Sequence, residues 1–174
     1  MLLLTAAMCV AGERGVPTLD GITNFGKVNE RLFRGAQPDA AGIASLARLG
    51  IKSIINLRMT NEVWKGEEAQ SQARGIIYTN VPLRGIGRPT DTQVAMLLAL
   101  IEHLPAPVFV HCRYGCDRTG TIIACHRIDH DHWSNEAALE EARKYGLSPL
   151  EQSMIKFVRE FGKAPAQKQG SETK

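Results

Sequence analysis

The chain has 174 residues, 44% hydrophobic and 22% charged, with a formal net charge of +3. That length buries one good core and falls short of two, so a single domain is expected. Lys and Arg are scattered from Arg14 to Lys174 with no run of like charges, which argues against a nucleic-acid binder and favours anionic partners only weakly.

The first dozen residues, MLLLTAAMCVAG, resemble the apolar region of a signal peptide ending in small residues, although no basic segment precedes them. Over residues 1–15 the expectation is therefore an export signal and a periplasmic protein, against the alternative of a plain N-terminal extension on a cytoplasmic one. So short an apolar stretch spans no bilayer. The domain proper is expected over 16–162.

Asn24 to Ala36 reads as two short strands with Asn29 and Glu30 at the turn. A helix opens at Pro38 and Asp39, carries Ile43, Leu46, Ala47 and Leu49 on one face, and closes at Gly50. IKSIINLR, residues 51–58, is a buried strand. Residues 61–74 suit an exposed helix stopped by Gly75, and Ile76 to Leu83 the next strand. Thr90 and Gln93 form a capping box for a helix from Asp91 to His103. VFVHC, residues 108–112, is a short apolar strand running into a loop and a helix opening near Arg118. Ser148-Pro149-Leu150-Glu151 reads as a second capping box for a last helix ending near Phe161, and the tail over 163–174 as disordered. Alternating strands and helices predict an α/β fold: a central, mostly parallel sheet with helices on both faces, binding ligands beyond the carboxyl ends of its strands.

The turn after Cys112 sits at such an end. Consecutive backbone N–H groups over Arg113, Tyr114, Gly115, Cys116 and Asp117 suit an anion nest, and the following helix adds its positive dipole end. Gly115 permits tight curvature. Arg118 offers a planar fork for two phosphate oxygens. The same positive surroundings favour the thiolate form of Cys112, the nucleophilic form.

The stretch His111-Cys112-Arg113-Tyr114-Gly115-Cys116-Asp117-Arg118-Thr119-Gly120 resembles the His-Cys-x5-Arg-Ser/Thr signature of the protein tyrosine and dual-specificity phosphatase superfamily. The order of elements over 24–161, with Arg34-Gly35-Ala36-Gln37-Pro38 near the start, resembles its small bacterial and plant-type dual-specificity members. The resemblance implies a phosphocysteine mechanism without metal or cofactor. Cys112 attacks phosphorus, Arg118 and the loop amides hold the phosphoryl oxygens, Thr119 helps the thiolate leave, and His111 orders the loop.

Two carboxylates compete for the role of general acid. Asp91 lies upstream, where many family members place theirs, but it also sits just inside a helix start, where acids are common for dipole reasons. Asp117, inside the loop, is the favoured candidate, because a negative charge beside a phosphate site requires a reason.

Arg58 and Arg84 end or follow strands and are candidates for the rim of the site, against a reading as surface ion pairs. Cys116 is a candidate resolving partner for Cys112, and Cys125 reads as a small buried hydrophobe. His126, His130 and His132 with Asp129 and Asp131 read as a polar helix end rather than a metal site. The expected activity is hydrolysis of phosphotyrosine, with phosphoserine or phosphothreonine alongside. Phosphoinositides, inositol phosphates or an RNA 5′-phosphate are alternative substrates; sulfurtransferase, arsenate reductase and a phosphate-binding module are alternative classes. Partners are then a phosphorylated protein or small phosphorylated molecule.

Overall fold

Glycine and polar punctuation divides the chain into short elements. The structure, a computed structural model, describes residues 18–163. The candidate export segment and the tail beyond Lys163 lie outside the described residues. Strands β1 (Gly26–Lys27) and β2 (Leu32–Gly35) form the expected hairpin and pair antiparallel. Asp39 caps α1 (Ala40–Arg48) by accepting from the Gly42 N–H, and Gly50, at φ +79°, ends the turn that follows. Next come β3 (Ser53–Asn56), α2 (Glu67–Gln72), β4 (Ile77–Asn80) and α3 (Asp91–His103), the last opened by the Thr90–Gln93 capping box. They are followed by β5 (Val108–His111), α4 (Asp117–Asp129), α5 (Asn135–Lys144) and α6 (Gln152–Glu160).

The sheet order is β1-β2-β5-β3-β4, and every pairing but β1–β2 is parallel. β5 is central, with His111 in register with Gly35 on one side and Asn56 on the other. Its side chains alternate between two cores, as a strand's must. Val108 and Val110 pack with Leu97 and Ile101 of α3 and Ile122 of α4, whereas Phe109 packs with Ile43 and Leu46 of α1. All of these are buried, and each contributes about 1.5–3 kcal/mol of hydrophobic stabilisation. A third cluster, Ala124, Leu139, Leu147, Met154 and Val158, ties α5 and α6 to the outer face of α4.

Two local expectations are corrected. Residues 61–74 do not form one exposed helix: a 3-10 turn over Thr60–Glu62 precedes the short α2, which buries Glu67 and Ser71. The strength of the signal there was polarity, and Glu67 is polar yet held inside by partners. The second capping box does not form either. Residues 148–150 make a turn, Glu151 precedes α6 without a side-chain cap, and the Ser148 hydroxyl accepts from Leu150 N–H. The Ser148 N–H instead donates to Asp117 of α4. α5, capped by Ser134 on the Ala137 N–H, has no counterpart among the expected elements.

Candidate active site

The central strand ends at His111, so the chain leaves the sheet at Cys112 between the carboxyl ends of β2 and β3. Cys112 is 3% exposed and is a free thiol, so no bond joins it to Cys116. The loop then turns at Gly115, with φ +70°, so tightly against β2 that a Cβ there would lie 2.5 Å from the Gly35 carbonyl carbon. Only glycine fits that approach. Gln37 N–H donates to Arg113 O at 3.2 Å, and Asn24, whose backbone is left-handed at φ 53°, donates from its side-chain amide to Tyr114 O at 3.0 Å and Tyr145 O at 2.9 Å. Arg113 and Tyr114 face outward, the guanidinium 5.0 Å from the tyrosine ring centroid.

Arg34 supports the loop from below. It is 1% exposed, its Nη2 donates to Gly115 O at 2.8 Å, and its guanidinium lies 3.9 Å over the Tyr145 ring. Burial lowers its pKa to about 10, which still leaves it charged at neutral pH. The sequence showed Arg34 only as part of a motif; its buried cation beneath the loop is a tertiary result.

Arg118 enters the site from the first turn of α4. Its Nη1 donates to Glu62 Oε2 at 3.1 Å and Leu83 O at 3.3 Å, leaving Nε and Nη2 for two oxygens of a bound anion. Arg58 stands close by, with Nη1 on Gln37 Oε1 at 3.2 Å and Nε 3.8 Å from the same Glu62 carboxylate. Arg118 lines a cleft of about 410 Å³ together with Arg84, Arg88, Thr90 and Gln93. Thr119, fully buried, has a hydroxyl without a hydrogen-bond partner.

The two carboxylates are separated by the fold. Asp117 opens α4 beside Arg118, and its Oδ1 accepts the Ser148 N–H at 2.8 Å. Burial raises its pKa, with the Ser148 hydrogen bond and Arg118 pulling the other way. Asp91, whose side chain is 82% exposed, lies 3.5 Å from Arg88 and borders a different cavity.

His111 is held by a carboxylate that the sequence did not disclose. Its Nε2 lies 2.7 Å from Glu67 Oε1, and both side chains are fully buried. Asn56 Nδ2 donates to Glu67 Oε2 at 2.8 Å and to Tyr78 Oη at 2.9 Å. Burial and the neighbouring Glu67 charge push the Tyr78 hydroxyl pKa up. His111 Nδ1 lies 3.2 Å from Cys112 O, so this chain of groups ends at the backbone of the cysteine.

Residues 17–160 match a family model described as a DSP-PTPase phosphatase fused to NAD+ kinase. The dual specificity protein phosphatase TpbA of Pseudomonas aeruginosa is 29% identical over 138 residues, 74% of this chain and 57% of that protein. The chain thus spans little more than half the length of that relative. Inositol diphosphatase DSP5 of Arabidopsis thaliana is 26% identical over 79% of this chain and 69% of its own length. Crystallised TpbA superposes with a TM-score of 0.68 at 26% identity, covering 78% of this chain and 83% of TpbA. The catalytic core of the PP-IP phosphatase SIW14 from S. cerevisiae shares the fold, with a TM-score of 0.72 at 24% identity over 83% of this chain and 88% of its own. By the match over residues 17–160, this chain belongs to the DSP-PTPase phosphatase family.

Proposed function

We propose that the protein is a cysteine-dependent phosphatase that hydrolyses phosphate monoesters, phosphotyrosine among them, through a phosphocysteine intermediate and without a metal. The observation that carries this reading is the placement of Cys112 at the end of the central strand, in a loop closed by Gly115 and finished by Arg118 at a helix start. TpbA, whose cysteine-to-serine variant was crystallised with pTyr, supports the same reading by similarity.

In the first step the Cys112 sulfur forms a bond to phosphorus while the ester P–O bond breaks. Loop N–H groups and Arg118 hold the phosphoryl oxygens, where negative charge is stabilised throughout. Asp117, kept protonated more readily by its burial, gives its proton to the departing oxygen. Water then attacks phosphorus, the P–S bond breaks, and the water proton passes to Asp117 as phosphate and thiolate separate. The unpartnered Thr119 hydroxyl is available to stabilise that thiolate.

A second substrate reading has its own support. Arg84 and Arg88 line the cleft with Arg118, which suits a substrate with several phosphates, such as an inositol phosphate, and a relative named inositol diphosphatase points the same way. Comparing phosphopeptides with inositol polyphosphates separates the two readings: Arg84→Ala lowers kcat/KM on the polyphosphate alone if that reading holds.

The test of the class is phosphate release from p-nitrophenyl phosphate in the presence of chelator. Wild-type turnover is expected to survive chelation and to vanish in Cys112→Ser and Arg118→Ala. If the folded, reduced protein shows no turnover, thiosulfate and arsenate assays decide between the remaining activated-cysteine chemistries and binding alone.

A further inference from the structure

The last turns of α4 gather titratable groups that the phosphatase reading does not use. His126 and His130, four residues apart, lie on one face of the helix, with their rings stacked at 4.8 Å between centroids. Asp131 follows directly. Its Oδ1 lies 2.7 Å from His130 Nδ1, and its Oδ2 accepts from Arg127 at 2.7 Å. One donor atom from each of His126, His130 and Asp131 can be chosen so that all three lie within 4.8 Å of one another.

Two histidines at this spacing occur on many polar helix ends, so spacing alone decides nothing. The deciding group is His126, which is 5% exposed and whose Nε2 is buried without a hydrogen-bond partner. Buried imidazole nitrogens are ordinarily paired, and leaving one unpaired is costly. His126 and His130 also line a cavity of about 670 Å³ between α3 and α4, to which Glu102 and His103 at the end of α3 bring further donors. A buried, unpaired nitrogen, a second imidazole and a carboxylate thus lie within 4.8 Å of one another beside a space with room for an ion and its water, and the half-exposed His130 ring is free to turn toward it.

We infer that His126, His130 and Asp131 form a binding site for a divalent transition metal of the class that imidazole and carboxylate ligands favour, such as Zn²⁺ or Co²⁺. Mg²⁺ and Ca²⁺, which demand oxygen-rich shells, fit this donor set poorly. In the ion-free state His130 Nδ1 and Asp131 Oδ1 share a hydrogen bond. Binding uses the Nδ1 lone pair, so the ring carries its proton on Nε2, and the ion takes the place of that hydrogen bond beside His126. Water or His103 completes the shell. His126 is eight residues beyond Arg118, or about 12 Å along the helix axis, so the ion sits at the far end of α4 and takes no part at phosphorus.

The test titrates Co²⁺ and then Zn²⁺ into the full chain carrying Cys112→Ser, so that the active-site thiol does not compete for either ion. The expected result is one Co²⁺ per chain with the visible absorption of a four- or five-coordinate site, displacement by Zn²⁺, and a rise of several degrees in Tm at saturating Zn²⁺. His130→Ala and Asp131→Asn each weaken binding by at least tenfold, while His132→Ala, an exposed neighbour outside the cluster, retains the parental affinity. His130 is half exposed, so its removal leaves the fold intact, and matched circular dichroism and Tm in chelator check this. Binding that is indifferent to His130→Ala, or no saturable binding of either ion, overturns the assignment.

Discussion

At the scale of single residues, the site turns on which carboxylate can keep a proton. Asp117 sits beside a cation, which alone would lower its pKa, yet burial outweighs that attraction and the net shift is upward. As an acid it must be protonated to act, so turnover that depends on it is full below its folded-state pKa and falls as pH rises through that value. Asp117→Asn, which keeps an oxygen for the Ser148 N–H, is expected to cost about 10²- to 10⁴-fold in kcat on esters with poor leaving groups, and far less on p-nitrophenyl phosphate. It should also remove the alkaline limb of the kcat profile. An equal loss confined to Asp91→Asn would reverse the assignment. Asp117 was legible as a candidate because a carboxylate inside an anion loop is anomalous. What the sequence did not contain was its partner 31 residues away, the backbone of Ser148.

At the scale of elements, α2 illustrates how polarity misleads. Its sequence, EEAQSQ, looks like a solvated face, but the helix turns Glu67 inward to meet His111 of β5, Asn56 of β3 and Tyr78 of β4. A buried carboxylate of this kind is stable only with its partners in place. Glu67→Gln is therefore expected to lower stability by about 1.5–3 kcal/mol, read as a shift in the urea midpoint, whereas exposed Glu68→Gln has no such effect. Because His111 abuts the Cys112 backbone, kcat should fall with Glu67→Gln as well, and an unchanged kcat would show that the pair acts on folding alone. The capping box at α3 was read correctly from Thr90 and Gln93 because it is a strictly local device. The similar pattern at Ser148 failed for a tertiary reason: its N–H is taken by Asp117, and the helix begins later.

At the scale of the molecule, the central cluster holds residues of both β5 and α4, and each of the other two clusters shares one of these elements with it, Phe109 of β5 or Ala124 of α4, so the chain is expected to unfold as one unit. Leu139→Ala tests this at the cluster farthest from the sheet. Leu139 is fully buried in α5, and its truncation should cost about 2–5 kcal/mol. Loss of phosphatase turnover and of far-UV circular dichroism in urea should shift together. If turnover fails at lower urea than the helical signal, the α5–α6 layer melts separately, and with it the Ser148 contact to Asp117.

Local patterns were enough for most of the alternation of strands and helices, for the mostly parallel sheet with both faces covered, and for the strand–loop–helix around Cys112, because apolar periodicity, caps and glycine turns act over a few residues. Which distant groups meet was set by packing alone: Arg34 beneath Gly115, Glu67 behind His111 and Ser148 on Asp117 at the loop, and Asp131 beside the buried His126 at the far end of α4. Each of these contacts is a polar pairing made where burial removes water, and such pairings depend on where separate elements pack, which no local pattern encodes.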